Sequence, residues 1–305
     1  MRKVLVFPGA TSNEGDFAID EEDFLTVTSF IESTQRIRDD QIWKVVRGVV
    51  KIRENDEDCR VYKLKADIRQ RCFREQSSPS SVWLQSLPES IGDLASLEVL
   101  DLSCSNIRSL PQSFGRLLNL KDLSISRLLC LTDLPEQIGD LANLERLNLG
   151  FTGISSLPPV IGRLQNLKEL DLRSMRQISN LPDEIGDLSG LKSLTLSWST
   201  IIVLPPSIGR LQNLQELDLS LSKYLTALPE EIGDLSGLQK LDLHHCKVKV
   251  LPRSIGRLQN LEYLSLAFTK SLSTLPEEIG NLGSLKELIL HGSFIQSLPI
   301  SMRCL

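Results

Sequence analysis

Three histidines, His244, His245 and His291, are the only imidazoles in the chain, so a Ser-His-Asp or Cys-His catalyst would have to use one of them. His244 and His245 are adjacent, and on an extended segment adjacent side chains point to opposite faces. Six cysteines (Cys59, Cys72, Cys104, Cys130, Cys246 and Cys304) stand at irregular spacings with no CxxC pair, which indicates neither zinc nor redox chemistry. Gly9 and Gly15 bracket ATSNE, but a phosphate-cradling loop needs Lys-Ser/Thr after its second glycine, and Asp16 stands there instead. A recurring row of carboxylates, with Asp171, Asp218 and Asp242 among them, has the chemistry to hold a divalent cation. Carboxylates spread over a solvated surface usually stay metal-free. No catalytic residue, cofactor or metal ligand is therefore expected.

The element that must position these residues is a repeat. Leu-Pro pairs begin at Leu87, Leu110, Leu134, Leu157, Leu181, Leu204, Leu228, Leu251, Leu275 and Leu298, with spacings alternating between 23 and 24, so the true period is 47 residues. Each copy reads LPxxIGxLxxLxxLxLxx. The L-x-L alternation is the period-2 signature of a strand with Leu inward, and nine such segments start at Leu97, Leu120, Leu144, Leu167, Leu191, Leu214, Leu238, Leu261 and Leu285. Pro followed by acidic residues, as in Pro229-Glu-Glu, suits an N-terminal helical position, with room only for a short helix or 3₁₀ turn. No single copy buries enough surface to fold alone, so stability belongs to the stacked array. After Ile-Gly (Phe-Gly in one copy) the next residue runs Asp93, Arg116, Asp140, Arg163, Asp187, Arg210, Asp234, Arg257, Asn281. This alternation avoids a like-charge column and fixes register rather than marking a ligand stripe.

Stacking puts the residues around each L-x-L on one concave sheet. His244 and His291 then share a strand position two repeats apart, about 10 Å, too far for direct shared coordination of zinc. Between the two leucines stand Asp101, Ser124, Asn148, Asp171, Thr195, Asp218, Asp242, Ser265 and Ile289, with Glu169 and Glu216 two residues before Asp171 and Asp218. Two residues after the second leucine come Cys104, Arg127, Phe151, Ser174, Trp198, Leu221, His245, Phe268 and Gly292, an intermittent apolar band along a rim. Aromatic anchors beside charges are how interface hot spots are built. The candidate protein-binding residues are Phe151, Asp171, Arg173, Thr195, Trp198, Asp218, Asp242, His244 and Phe268.

Over residues 84–305 the motif LPxxIGxLxxLxxLxLxx resembles that of leucine-rich-repeat proteins. It is similar to the Ras-group class of intracellular signalling scaffolds and to the arrays of plant immune receptors. The resemblance implies an α/β fold, a leucine-rich-repeat solenoid with a concave parallel sheet and short helices or 3₁₀ turns on the convex side. It is specific for fold and poorly specific for function. Where the family usually places Asn three residues after L-x-L, this chain has Ser105, Leu128, Thr152, Met175, Ser199, Ser222, Cys246, Thr269 and Ser293. Hydroxyls can replace some of the Asn bonds, but Leu128 and Met175 cannot, and an extra residue in their repeats is the expected compensation.

Residues 1–83 lack the repeat and read as a separate charged segment, with a small helical cap as one form it can take. A short strand is expected at 3–7 and a helix at 21–38, while 41–53 and 60–73 fit helix or strand. Lys3-Val-Leu-Val-Phe7 resembles a docking peptide for phosphatase catalytic subunits, but Leu5 departs from that pattern and a plain strand is favoured. Formal net charge is -5 with no Lys/Arg run, which points away from nucleic acid and anionic membranes. No stretch approaches the ~18 consecutive apolar residues of a spanning helix, and the N-terminal apolar run is too short for a signal peptide. Neither lipidation box is present, since Cys304 is penultimate and residue 2 is Arg. These features lead to a non-catalytic cytoplasmic scaffold or recognition module in signalling, binding a protein on its concave face. A regulatory subunit targeting a phosphatase or small GTPase is the alternative, and a hydrolase the third. The expectation at the C-terminus is that Ile300, Met302 and Leu305 fold back over the last leucine layer; left open, that end would favour self-association or mark a truncated chain.

Overall fold

The computed structural model describes residues 86–304 together with four strands of the preceding segment: β1 (Val4–Phe7), β2 (Phe17–Asp20), β3 (Val50–Ile52) and β4 (Val61–Lys65). From Val99 onward each repeat contributes one three-residue strand. These are β5 (Val99–Asp101), β6 (Asp122–Ser124), β7 (Arg146–Asn148), β8 (Glu169–Asp171), β9 (Ser193–Thr195), β10 (Glu216–Asp218), β11 (Lys240–Asp242), β12 (Tyr263–Ser265) and β13 (Glu287–Ile289). The nine are parallel and neighbour one another in sequence order, each beginning two residues after the first leucine of its motif. Their central leucines are in register from Leu100 to Leu288. On the other edge β4 continues the sheet in parallel, with Leu64 opposite Leu100, and β3 pairs antiparallel with β4. Strands therefore occupy parts of the two segments whose pattern fits either state. β1 and β2 form a separate antiparallel pair, and the expected helix at 21–38 lies outside the described residues.

The convex side carries five-residue 3₁₀ turns, one per repeat. Pro182 is the residue just before such a turn (φ −69, ψ 154), and its carbonyl accepts the Ile185 N–H at 3.1 Å, closing the i→i+3 ring. Proline thus stands at the cap rather than at the first helical position, a place where its missing N–H costs nothing. A segment this short cannot gain from α-helical propagation. The following Ile is buried and the following Gly permits close stacking: a Cβ on Gly162 would lie 2.7 Å from the Glu184 carbonyl oxygen of the next turn. One continuous core of Leu and Ile runs from Leu87 to Leu282. It thins at the last repeat, where Leu285, Leu288, Leu290 and Met302 are only partly buried against it; of the residues expected to fold back, Ile300 is instead 73% exposed and Leu305 lies outside the described residues.

The 47-residue period has a structural cause. In the longer repeats the extra residue makes a second turn, closed by Leu131 N–H to Leu128 C=O at 3.1 Å and by Leu225 N–H to Ser222 C=O at 3.2 Å. Leu128 and Met175 are fully buried in these turns. Their carbonyls take the N–H of Gly153 and Thr200 in the next repeat, at 3.3 and 3.4 Å, so the turn survives without an asparagine. An asparagine ladder does exist elsewhere. In the turn before the strand, Asn119, Asn143, Asn166, Asn213 and Asn260 each donate through Nδ2 to a carbonyl of the preceding repeat at 2.8 Å. The Asp/Arg column forms ion pairs at Arg116–Asp93 (3.5 Å), Arg210–Asp187 (3.1 Å) and Arg257–Asp234 (3.4 Å), all exposed.

Candidate functional site: the concave face and its rim

Strand register brings the predicted polar residues into one row. Asp171 lies opposite Thr195, Thr195 opposite Asp218, and Asp218 opposite Asp242, across β8 to β11. Leucines on either side of each are buried, so these residues face the groove as the alternation requires.

The carboxylates have a backbone task first. Leu102 and Cys104 donate their N–H groups to Ser124 and Ser126 on the next strand, while the N–H of Ser103 between them turns back to Asp101 Oδ1 at 3.1 Å. Asn148, Asp171, Asp218 and Asp242 do the same for Gly150, Arg173, Ser220 and His244, at 2.9 to 3.0 Å. An N–H at a strand end must find an acceptor, and a side chain two residues back supplies it.

Side-chain partners then separate the three aspartates. Arg173 Nε reaches both oxygens of Asp171, at 2.9 and 2.7 Å. That bond holds the guanidinium pKa above its usual value. His244 Nδ1 lies 2.8 Å from Asp242 Oδ1. Asp218 forms no ion pair among the described residues, and Glu169 and Glu216 form none either. Elsewhere along the sheet charges are paired: Arg146 meets Asp122 at 3.0 Å, and Lys168 meets Glu145 at 2.7 Å, pulling that carboxyl below its usual range.

The rim has a feature that alternation alone does not predict. Cys104, Arg127, Phe151, Ser174, Trp198, Leu221, His245 and Phe268 all adopt left-handed backbone, with φ between 55 and 63, and Gly292 completes the set at φ 70. Each of the non-glycine residues keeps its N–H in the ladder, as Trp198 does to Ser220 O at 2.9 Å. By parity its side chain belongs in the core; the positive φ turns it outward instead, leaving Trp198 54%, Phe151 37% and Phe268 38% exposed. The same turn corrects the placement of His244 and His245 on opposite faces, since their rings meet edge-on with centroids 5.6 Å apart. The one sequence signal for this geometry was Gly292 at the ninth equivalent position, because Gly alone takes φ > 0 without strain.

The aromatic candidates also divide by partner. Arg127 lies over the Phe151 ring at 5.0 Å, and Phe268 is stacked on His245 at 4.5 Å with His291 edge-on at 5.0 Å. Trp198 meets no ring or cation among the described residues. The structure thus brings Asp171, Arg173, Thr195, Trp198, Asp218, Asp242 and His244 together around β8 to β11, with Phe151 and Phe268 farther along the rim.

Catalytic chemistry finds no assembled site among the described residues. Among the described residues, no hydroxyl or thiol is hydrogen-bonded to the His244, His245 or His291 ring. Cys246 is buried, donates its thiol to Leu219 O at 3.0 Å, and has its pKa pushed up to about 12 by burial. It belongs to the buried column that stands where asparagine was sought, with Thr152, Ser222 and Thr269 bonded to Leu carbonyls at 2.6 to 2.9 Å. No group of three His, Cys, Asp or Glu among the described residues is arranged to hold a metal ion, and no described helix is long and apolar enough to cross a membrane.

Comparison with known proteins agrees with this architecture. A family model described as leucine-rich repeat region matches residues 78–152, 146–223 and 217–299. Among solved structures, the leucine-rich repeat domain of the type III effector XopL is 28% identical, covering 75% of this chain and 74% of that one, with a TM-score of 0.58. A leucine-rich-repeat protein of Leptospira interrogans is 30% identical over 73% of this chain and 68% of its own, at a TM-score of 0.47. The functional domain of InlJ from Listeria monocytogenes shares the fold at 18% identity and a TM-score of 0.54, over 71% of this chain and 48% of that one. No curated protein matches the sequence. With the motif repeated along one open parallel sheet and the family model spanning most of the chain, this protein belongs to the leucine-rich-repeat family.

Proposed function

We propose that this chain is a non-catalytic protein-recognition module, acting in cytoplasmic signalling, that binds its partner in the groove over β8 to β11 and on the adjoining rim. One observation carries the reading: Trp198, which meets no ring or cation among the described residues, and Asp218, which forms no ion pair among them, stand on adjacent repeats. The core requires neither side chain. An exposed tryptophan beside an acid that forms no close ion pair among the described residues has the makeup of an interface hot spot. Membership in a repeat family whose solved relatives are built as open solenoids supports a binding surface rather than an enclosed active site.

The test places a photo-crosslinking side chain at position 195 in the full chain and compares products with and without Trp198→Gly and Asp218→Asn. A discrete partner captured by the parent and lost in the variants supports the reading; equal capture in all three overturns it.

A further inference from the structure

We infer that a second docking surface lies on the flank that follows β9 to β12, between the rim and the convex turns, and that it takes a protein segment combining acidic and aliphatic side chains. It is separate from the groove over β8 to β11 and stands without it. Four residues after the second leucine of their motifs come Lys223, Lys247 and Lys270, on three successive repeats, and Lys249 follows Lys247 by two. Neighbouring repeats are about 5 Å apart, so the first three form a column. All four lysines are exposed and none forms an ion pair among the described residues, whereas Lys121, Lys168 and Lys286 each meet a glutamate of the preceding repeat. Segments 197–204, 220–228, 244–251 and 267–275 contain no Asp or Glu. Of the acids that border them, Asp242 is bonded to His244, Glu230 accepts the Ser254 N–H at 3.2 Å and Glu278 lies 3.9 Å from Arg253. Along the convex column unlike charges alternate; on this flank like charges stack, a repulsion that an external acid relieves.

A second observation is independent of charge. Just before the Leu-Pro pairs of the same repeats stand Val203, Ala227 and Val250, where the first four repeats have Ser109, Asp133, Ser156 and Asn180 and the last two have Thr274 and Ser297. The aliphatic row is thus confined to the stretch that carries the lysines. Ala227 and Val250 form a parallel bridge, and the Lys249 N–H donates to Thr226 O at 3.1 Å, so this part of the flank is ordered by backbone bonds. Val203 is 50% and Val250 64% exposed, with Ile202 and Tyr224 exposed beside them. The core requires none of these side chains. An apolar row bordered by unpaired cations matches a segment that offers aliphatic groups to the row and carboxylates to the lysines. A polynucleotide would meet the lysines but leave the valines against sugar and phosphate, and the net charge of -5 opposes it.

The experiment selects a phage-displayed library of random linear peptides on the full chain, then measures affinity of the enriched peptides for the parent, Lys247→Gln/Lys249→Gln, Val203→Thr/Val250→Thr and Trp198→Gly. The four flank side chains are exposed, and circular dichroism confirms the fold of each variant. The expected result is a set of peptides carrying Asp or Glu beside Val, Leu or Ile, each weakened roughly tenfold or more by either flank pair. Replacing the peptide acids by Asn or Gln should cost as much as removing the lysines, and the two losses should not add. Peptides without acids, peptides indifferent to either flank pair, or no enrichment at all would overturn the inference. Binding lost in Trp198→Gly and kept in both flank pairs would place the peptide at the rim, leaving the recognition reading standing and this one overturned. Lysine-dependent capture by phosphatidylserine vesicles or an oligo-dT strand, in place of the acidic peptides, would overturn it as well.

Discussion

Trp198 and Asp218 are anchored to the same residue. Ser220 accepts the Trp198 N–H through its carbonyl at 2.9 Å and donates its own N–H to Asp218 Oδ1 at 2.9 Å. The aromatic on one repeat and the acid on the next are thereby fixed relative to each other by the sheet itself. Such a pair needs little ordering when a partner arrives, which is where affinity is otherwise lost.

Trp198→Gly separates binding from folding. A left-handed non-glycine residue costs about 1 to 2 kcal/mol, while glycine gives back about 0.5 to 1 kcal/mol in chain entropy. The variant should unfold in urea with stability unchanged or higher by up to about 1 kcal/mol, while partner affinity falls at least about tenfold. A loss of stability above about 1 kcal/mol would show that the indole has a packing role.

Leu241→Ala should cost about 2 to 5 kcal/mol, because Leu241 is fully buried between the layers of its neighbours. A chemical-denaturation loss under about 1 kcal/mol would contradict the inward assignment of the L-x-L leucines.

Gly209→Ala tests the stacking of the 3₁₀ turns. A Cβ at this position would lie 2.6 Å from the Glu231 carbonyl oxygen, so the next turn must shift. The expected cost is about 1 to 3 kcal/mol by thermal or urea unfolding. The same substitution at Gly283, where a Cβ would meet nothing within 4 Å, should cost less.

Cys246 predicts a pH dependence of stability. Its folded pKa of about 12 lies above the ordinary thiol value near ~8.5, so the folded state keeps a proton that the unfolded state releases. Its contribution is complete below ~8.5 and is lost as pH rises toward the folded value, by up to about 1.4 kcal/mol per pH unit. Cys246→Ser retains a donor for the Leu219 carbonyl and removes that slope. Parent and variant should differ by less than about 1 kcal/mol at neutral pH, with the variant gaining on the parent by about 2 kcal/mol near pH ~10. Parallel urea midpoints across that range would contradict the assignment.

Much of the fold could be read from spacing. A leucine every second residue within a fixed repeat length places Leu194, Leu217 and Leu241 on one buried layer, and the same alternation puts Thr195, Asp218 and Asp242 in the groove. The site was legible only as a set of candidates. Equal spacing gave Asp171, Asp218 and Asp242 equal standing, and Phe151, Trp198 and Phe268 likewise. Their neighbours in space, Arg173, His244, Arg127 and His245, separate them.

By itself the sequence determined the repeat, its inward leucines, the parallel register and the alternating charges, because each depends on periodicity along the chain. Only the tertiary structure decided that the rim residues are left-handed, that the convex segments are 3₁₀ turns, and that, among the described residues, Trp198 meets no ring or cation and Asp218 forms no close ion pair. Those outcomes depend on which atoms of neighbouring repeats come within bonding distance, and a one-dimensional pattern carries no such distances.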